Sequence, residues 1–201
     1  SMTLQVYPEH RAIIGEITSC VFHREDSKEL PTISGYASVF YDDEDTGTEY
    51  ELFEGVRERI DPNAFDETLK RQDDVVALFN HDNNMILGRK SAGNLTLEVD
   101  KTGLRYNVQP VDTSVGRDMM TLVEQRQVVG SSFGFYVEKA TWEERDGFDV
   151  RNIEQVTLVD VSPVTTPAYK STTAVARSQS TVNPAFREWQ GWREHRTGER
   201  K

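Results

Sequence analysis

The sequence predicts a mainly β domain with crossing helices, an α+β arrangement in which a β-barrel or curled sheet is wrapped by helices. Three observations predict it. Short runs of β-branched and aromatic residues recur along the chain, two neighbouring runs alternate as a hairpin does, and only two central stretches carry helical signals. Each of those stretches separates strands too far apart for a tight turn. A length of 201 residues suits one full domain with a real core plus appended segments.

In order, residues 1–32 read as an N-terminal extension and first strand, 33–169 as the main domain, and 170–201 as a flexible linker with a short amphipathic tail. Runs 33–41 and 75–79 have the composition of half-buried strands. Asp61 followed by Pro62 reads as a helix N-cap and first-turn proline, with 64–70 continuing the turn. Leu95, Leu97 and Val99 alternate with polar residues, as do Leu104, Tyr106 and Val108, and 100–103 between them reads as a hairpin turn. A second helix opens near Thr113 or Ser114. Its Val115, Met119, Leu122 and Val123 share one face and leave Arg117, Asp118, Glu124 and Arg126 to water. Runs 127–137 and 148–161 read as another hairpin around a charged stretch with Asp146 and Gly147. Ser, Thr, Ala and Pro dominate 167–184, a linker composition. Beyond it Phe186, Trp189 and Trp192 recur every third residue, as a helix docking on a partner or as incidental aromatics in a solvated tail.

Composition excludes several classes of function. The 23 basic against 34 acidic residues leave a net charge of −11, which argues against a nucleic-acid partner. No apolar run approaches the roughly 20 residues of a membrane helix. Cys20 stands alone, so neither an intrachain disulfide nor a CxxC zinc site is expected. Ser1 ahead of Met2 reads as the scar of a cleaved tag, and without a basic, apolar leader the expected setting is cytosolic and reducing. Asp43, Asp45, Gly47 and Glu49 imitate part of a calcium loop, but the glycine is misplaced. The acidic run 42–54 is most simply a solvated loop, so no metal and no cofactor are expected.

The chemical signal lies elsewhere. Gly130-Ser131-Ser132-Phe133-Gly134 matches the G-x-S-x-G string of serine hydrolases, yet a strand-like run follows it, and the one later histidine, His195, lies in the tail. The α/β-hydrolase reading therefore fails on context. A nucleophilic serine needs a base in reach and a group that orients the base. His10 and His23 lie in the N-terminal stretch, whereas His81 ends the apolar run 75–79 at the start of a polar turn. It is either an imidazole delivered to a cleft or a surface-turn histidine. Asp160 alternates with Val156 and Leu158, which places a carboxylate on an apolar face, costly unless partnered. It is either a histidine's partner or a strand-end residue turning to water, and Glu154 is the reserve candidate on the same face.

With these residues in view, the chain resembles the prohead proteases of tailed bacteriophages, serine proteases similar in fold to herpesvirus assemblin. The resemblance runs over 33–169. It rests on Gly35-Tyr36-Ala37-Ser38-Val39-Phe40, on Glu58-Arg59-Ile60-Asp61-Pro62-Asn63-Ala64-Phe65, and on Leu78-Phe79-Asn80-His81-Asp82 with Leu87-Gly88-Arg89. It continues through Gly103-Leu104, Val129-Gly130-Ser131-Ser132-Phe133-Gly134-Phe135, and Leu158-Val159-Asp160-Val161-Ser162-Pro163-Val164 leading into Pro167-Ala168-Tyr169.

The resemblance implies a herpesvirus-protease-like β-barrel, with Ser132 as nucleophile and His81 as its base. Ser131 stands where relatives carry a hydrophobic residue. Asp160 matches a position where the family carries Glu or Asp, while the herpesvirus relatives use a second histidine, and Glu154 stays open. Backbone N–H groups around 130–133, with Arg89 or Arg117, are the candidate oxyanion donors. The implied substrates are the phage major capsid protein and scaffold segments, cleaved inside the assembling procapsid in the bacterial cytoplasm. A homodimer and self-cleavage within 172–183 follow from the same resemblance and from the linker composition. The competing class is a non-catalytic assembly or scaffold-binding module with the same fold, which the intact His81 and Ser132 disfavour.

Overall fold

In the computed structural model, which describes residues 8–13, 21–23, 31–165 and 184–198, the strands form two sheets. The first, seven-stranded, contains β1 (Glu9–Ile13), β4 (Tyr50–Phe53), β5 (Val56–Ile60), β6 (Val76–Phe79), β7 (Asp82–Arg89), β10 (Gly130–Arg145) and β11 (Phe148–Val164). The second, four-stranded, runs β2 (Val21–His23), β3 (Thr32–Val39), β9 (Gly103–Val108) and β8 (Leu95–Val99). One core joins them, with Ile33, Leu104 and Tyr106 from the smaller sheet packed with Phe133, Phe135, Ile153 and Leu158 from the larger. Mainly β with a few helices is therefore what forms. The expected barrel is not closed among the described residues, because the sheets end on separate edge strands, β1 and β4 in one, β2 and β8 in the other.

Strand β11 organises the larger sheet. It pairs antiparallel with β10 along one side, and on the other it is parallel to β5 through 149–153 and to β6 at Asp160 and Val161. The β10–β11 hairpin is longer than the sequence predicts. The charged stretch after Val137 stays in the strand, and the turn is only Asp146 and Gly147, both at positive φ, as a two-residue hairpin turn requires. Ladder hydrogen bonds hold this arm where apolar burial is thin. The β8–β9 hairpin forms as the alternation predicts, Leu97 opposite Tyr106.

Helix α2 (Ser114–Glu124) opens at Thr113, whose hydroxyl accepts from the Gly116 N–H, and buries Met119 and Val123. Helix α1 (Asp66–Lys70) starts later than Asp61 and Pro62 predict. The Asp61 carboxylate instead accepts from Asn63 N–H and shapes a turn that leads into the helix. The linker 167–184 falls almost wholly outside the described residues. Past it α3 (Pro184–Thr197) packs on the chain's own β4, β10 and β11. Phe186 and Trp189 meet Phe53, Trp142 stacks on Trp192, and Trp189 Nε1 donates to Asp149 at 2.7 Å. The three tail aromatics are thus a docking face for this chain's own sheet.

Candidate active site

Three neighbouring strands each deliver one of the residues singled out from the sequence. Ser132 sits within β10, opposite Ser162 of β11, and is 1% exposed. Its surroundings are strand on both sides, which is why the strand-to-helix elbow of hydrolases does not form. Ser131, the adjacent hydroxyl, points the other way and contacts Tyr106 Oη at 2.9 Å in the core.

His81 stands on the two-residue turn between β6 and β7. Phe79 pairs with Asp82, so Asn80 and His81 make the whole turn, with φ of 52° and 58°. Left-handed backbone is uncommon for residues other than glycine, and asparagine and histidine tolerate it better than β-branched residues do. The turn is tied to the end of β11: Asn80 N–H donates to the Pro163 carbonyl at 3.1 Å, Thr165 N–H to Asn80 Oδ1 at 3.0 Å, and His81 N–H to Ser162 Oγ at 3.2 Å.

Asp160, 3% exposed, is aimed by a local irregularity. Gly134 pairs with Asp160 but Phe135 pairs with Leu158, leaving Val159 as an extra residue in β11. Gly134 is required here, since a Cβ at that position would lie 2.1 Å from Asp160 Oδ1. The second glycine of the serine string therefore makes room for a carboxylate.

The side chains converge in a continuous relay. His81 Nε2 lies 2.7 Å from Ser132 Oγ and His81 Nδ1 lies 2.6 Å from Asp160 Oδ2. Ser162 Oγ donates to the same Oδ2 at 2.8 Å, a second donor that offsets the cost of burying the carboxylate. Ser162 has no role in the sequence reading, although its i+2 spacing from Asp160 in a strand is the signal that places both on one face. Glu154 is not brought to this cluster. Gln155 pairs with Lys139 and Ile153 with Ala140, so Glu154 is the extra residue of a second bulge and turns outward to Lys139 Nζ at 2.9 Å. Arg89 and Arg117 are held by Asp74 and Asp112.

His10 on β1 is a neighbour that sequence reasoning sets aside. Its ring stacks on His81 at 3.7 Å with planes 5° apart, across the space left by Gly134. Burial, and then the electrostatic influence of His81, hold the His10 imidazole down at about 4, while Asp160 pulls the other way. His10, His81 and Asp160 offer three metal-ligating atoms within 4.8 Å. Parallel stacked rings do not converge their lone pairs on one point, and both His81 nitrogens are already engaged, so the donor set does not fit a metal.

Beside the relay lies a buried charge cluster. Arg11 Nε meets Glu58 Oε1 at 2.6 Å, and Arg151 Nη1 bridges Glu9 at 2.9 Å and Glu58 at 3.1 Å. On its other side Arg151 Nη2 holds Glu188 of α3 at 2.5 Å. Burial alone would raise the Glu9 carboxyl, but Arg11 and Arg151 outweigh it and keep it below its ordinary range.

The sequence profile of the caudovirus prohead serine proteases matches residues 19–185. The chain belongs to that family. It is accordingly a serine protease, and prohead proteases act in capsid maturation. No curated protein matches the chain. Among solved structures it is similar to the capsid assembly protease gp21 of bacteriophage T4, with 11% identity, a TM-score of 0.46, and coverage of 79% of this chain and 99% of that one. His81, Ser132, Asp160 and Ser162 all fall inside the stretch matched by the prohead protease profile, whereas β1 precedes it. No described helix is long and apolar enough to cross a membrane.

Proposed function

We propose that this prohead protease cleaves scaffold and major capsid protein segments inside the assembling procapsid, using Ser132 as nucleophile, His81 as general base and Asp160 as the orienting acid. The observation that carries the reading is the unbroken chain from Ser132 Oγ through both His81 nitrogens to Asp160 Oδ2, at 2.7 and 2.6 Å. With Asp160 accepting from Nδ1–H, the Nε2 lone pair faces the serine and takes its proton as Oγ attacks the scissile carbonyl. The imidazolium then returns that proton to the leaving amine. Ser162 keeps Asp160 from rotating away. Backbone N–H groups around 130–133 are the candidate oxyanion donors, since Arg89 and Arg117 are committed to other carboxylates.

The test is co-expression with the cognate capsid and scaffold proteins. Wild type should process them and Ser132→Ala should not, with both proteins equally folded by circular dichroism. Unchanged processing by folded Ser132→Ala would end the hydrolytic reading and leave the assembly-module alternative. Homodimerisation belongs to the same proposal and is checked by sedimentation velocity.

A further inference from the structure

Strand β1 lies outside the stretch matched by the family profile, yet it runs antiparallel along the β10 edge directly over the nucleophile. Ala12 is opposite Ser132, and the Ser132 hydroxyl donates to the Arg11 carbonyl oxygen at 2.8 Å. An extended strand added to a sheet edge with one carbonyl presented to the serine is the pose in which a protease holds its substrate. The residue that offers this carbonyl also fills a pocket. Arg11 passes its guanidinium over the Phe135 ring, 5.3 Å from the centroid, and closes on Glu58 through Nε at 2.6 Å and Nη2 at 3.1 Å. Glu58 is 0% exposed, and a carboxylate so placed is costly without a cation beside it. Lifting β1 away removes Glu9 and Arg11 together and leaves Arg151 alone between Glu58 and Glu188. One cation then faces two anions, and the vacated space is shaped for a guanidinium fork.

We infer that β1 occupies the substrate groove as a built-in substrate mimic, and that the pocket floored by Glu58 selects arginine as the residue contributing the scissile carbonyl. This rests on the hydrolytic role proposed for Ser132. In the described conformation the groove is closed: Ser132 is 1% exposed, and the Arg11 carbonyl at 2.8 Å competes with His81 Nε2 at 2.7 Å for its one hydroxyl proton. A substrate strand must replace β1 on β10, its arginine taking the place of Arg11 against Glu58.

The experiment labels Ser132 in the full chain with two peptidyl diphenyl phosphonates, one carrying arginine and one leucine at the reactive position, and follows intact mass. The arginine probe should react roughly tenfold faster or more, the span expected for a hydrogen-bonded charge pair. Arg11→Ala should speed labelling by both probes, and Glu58→Gln should abolish the arginine preference. Equal rates for the two probes overturn the pocket assignment, and an unchanged rate in Arg11→Ala overturns β1 as the occupant. Both results leave the protease reading standing, because Ser132 is labelled. Failure of both probes on wild type and Arg11→Ala alike overturns that reading and the inference with it. A measurement on wild type alone covers misfolded variants: amide exchange at 9–13 should accelerate once Ser132 carries the arginine probe, and retained protection refutes displacement.

Discussion

Gly134→Ala probes the candidate site through a residue that performs no chemistry. An added Cβ would sit 2.1 Å from Asp160 Oδ1 and 3.3 Å from His10 Cδ2, and real side chains do not approach closer than 3.0 Å. The carboxylate must retreat by about 0.9 Å, the difference between those limits. Moved along the line away from His81, such a shift stretches the 2.6 Å contact to the outer limit of a hydrogen bond. A misplacement near 1 Å costs about 10²-fold in rate, and complete loss of the orienting acid costs about 10⁴-fold. Gly134→Ala should therefore lose between about 10²- and 10⁴-fold in peptide hydrolysis, close to what Asp160→Asn loses. The assay is turnover of a capsid-derived peptide by both variants beside wild type, with the thermal midpoint measured in parallel. Wild-type turnover by a stably folded Gly134→Ala would show that the Asp160 carboxylate need not stand where it does, and the triad assignment would fall.

Three further outcomes follow from the geometry. Asn80→Val forces a β-branched residue to a φ of 52° and removes the acceptor for Thr165 N–H, so it should cost about 2–4 kcal/mol and reduce turnover as His81 loses its support, measured by urea denaturation and peptide hydrolysis. Arg151→Leu leaves Arg11 as one cation facing two buried carboxylates, Glu9 and Glu58, and should destabilise by about 3–5 kcal/mol in the same denaturation assay, whereas an exposed arginine such as Arg117 should change stability little when replaced. Docking of β1 should depend on pH. His10 faces His81 and Asp160, with Arg11 beside it on its own strand, and its affinity for a proton is lower docked than free. Docking is therefore strongest above about 6.5 and weakens as pH falls from there toward 4, seen as rising amide exchange at 9–13 after correction for the intrinsic rate, and constant protection across that window would refute the account.

Much of this arrangement is legible in the sequence where periodicity and chemistry coincide. The β8–β9 hairpin and the Thr113 cap show in alternation and residue type. The proximity of Asp160 to His81 is one of the two outcomes that a carboxylate on an apolar face leaves open, the other being a strand end that turns to water. Other features have no local signature. Which of Asp160 and Glu154 turns inward depends on bulges at Val159 and Glu154, and a bulge is a property of two paired strands that a single run does not reveal. Glu9, Arg11, Glu58 and Arg151 read one by one as surface residues, and only the sheet order brings them together under cover. Strand β1, five residues rich in charge, carries no apolar pattern to announce that it lies across the serine.

The turn carrying His81 is fastened to the strand carrying Asp160, and that strand is laddered to the one carrying Ser132. The three side chains of the proposed triad therefore ride on a single hydrogen-bonded plate, already aligned with one another within one chain. In a protein built this way the timing of activity is governed by what lies on top of the plate rather than by movement within it, and the elements that set its schedule belong at the sheet's margin.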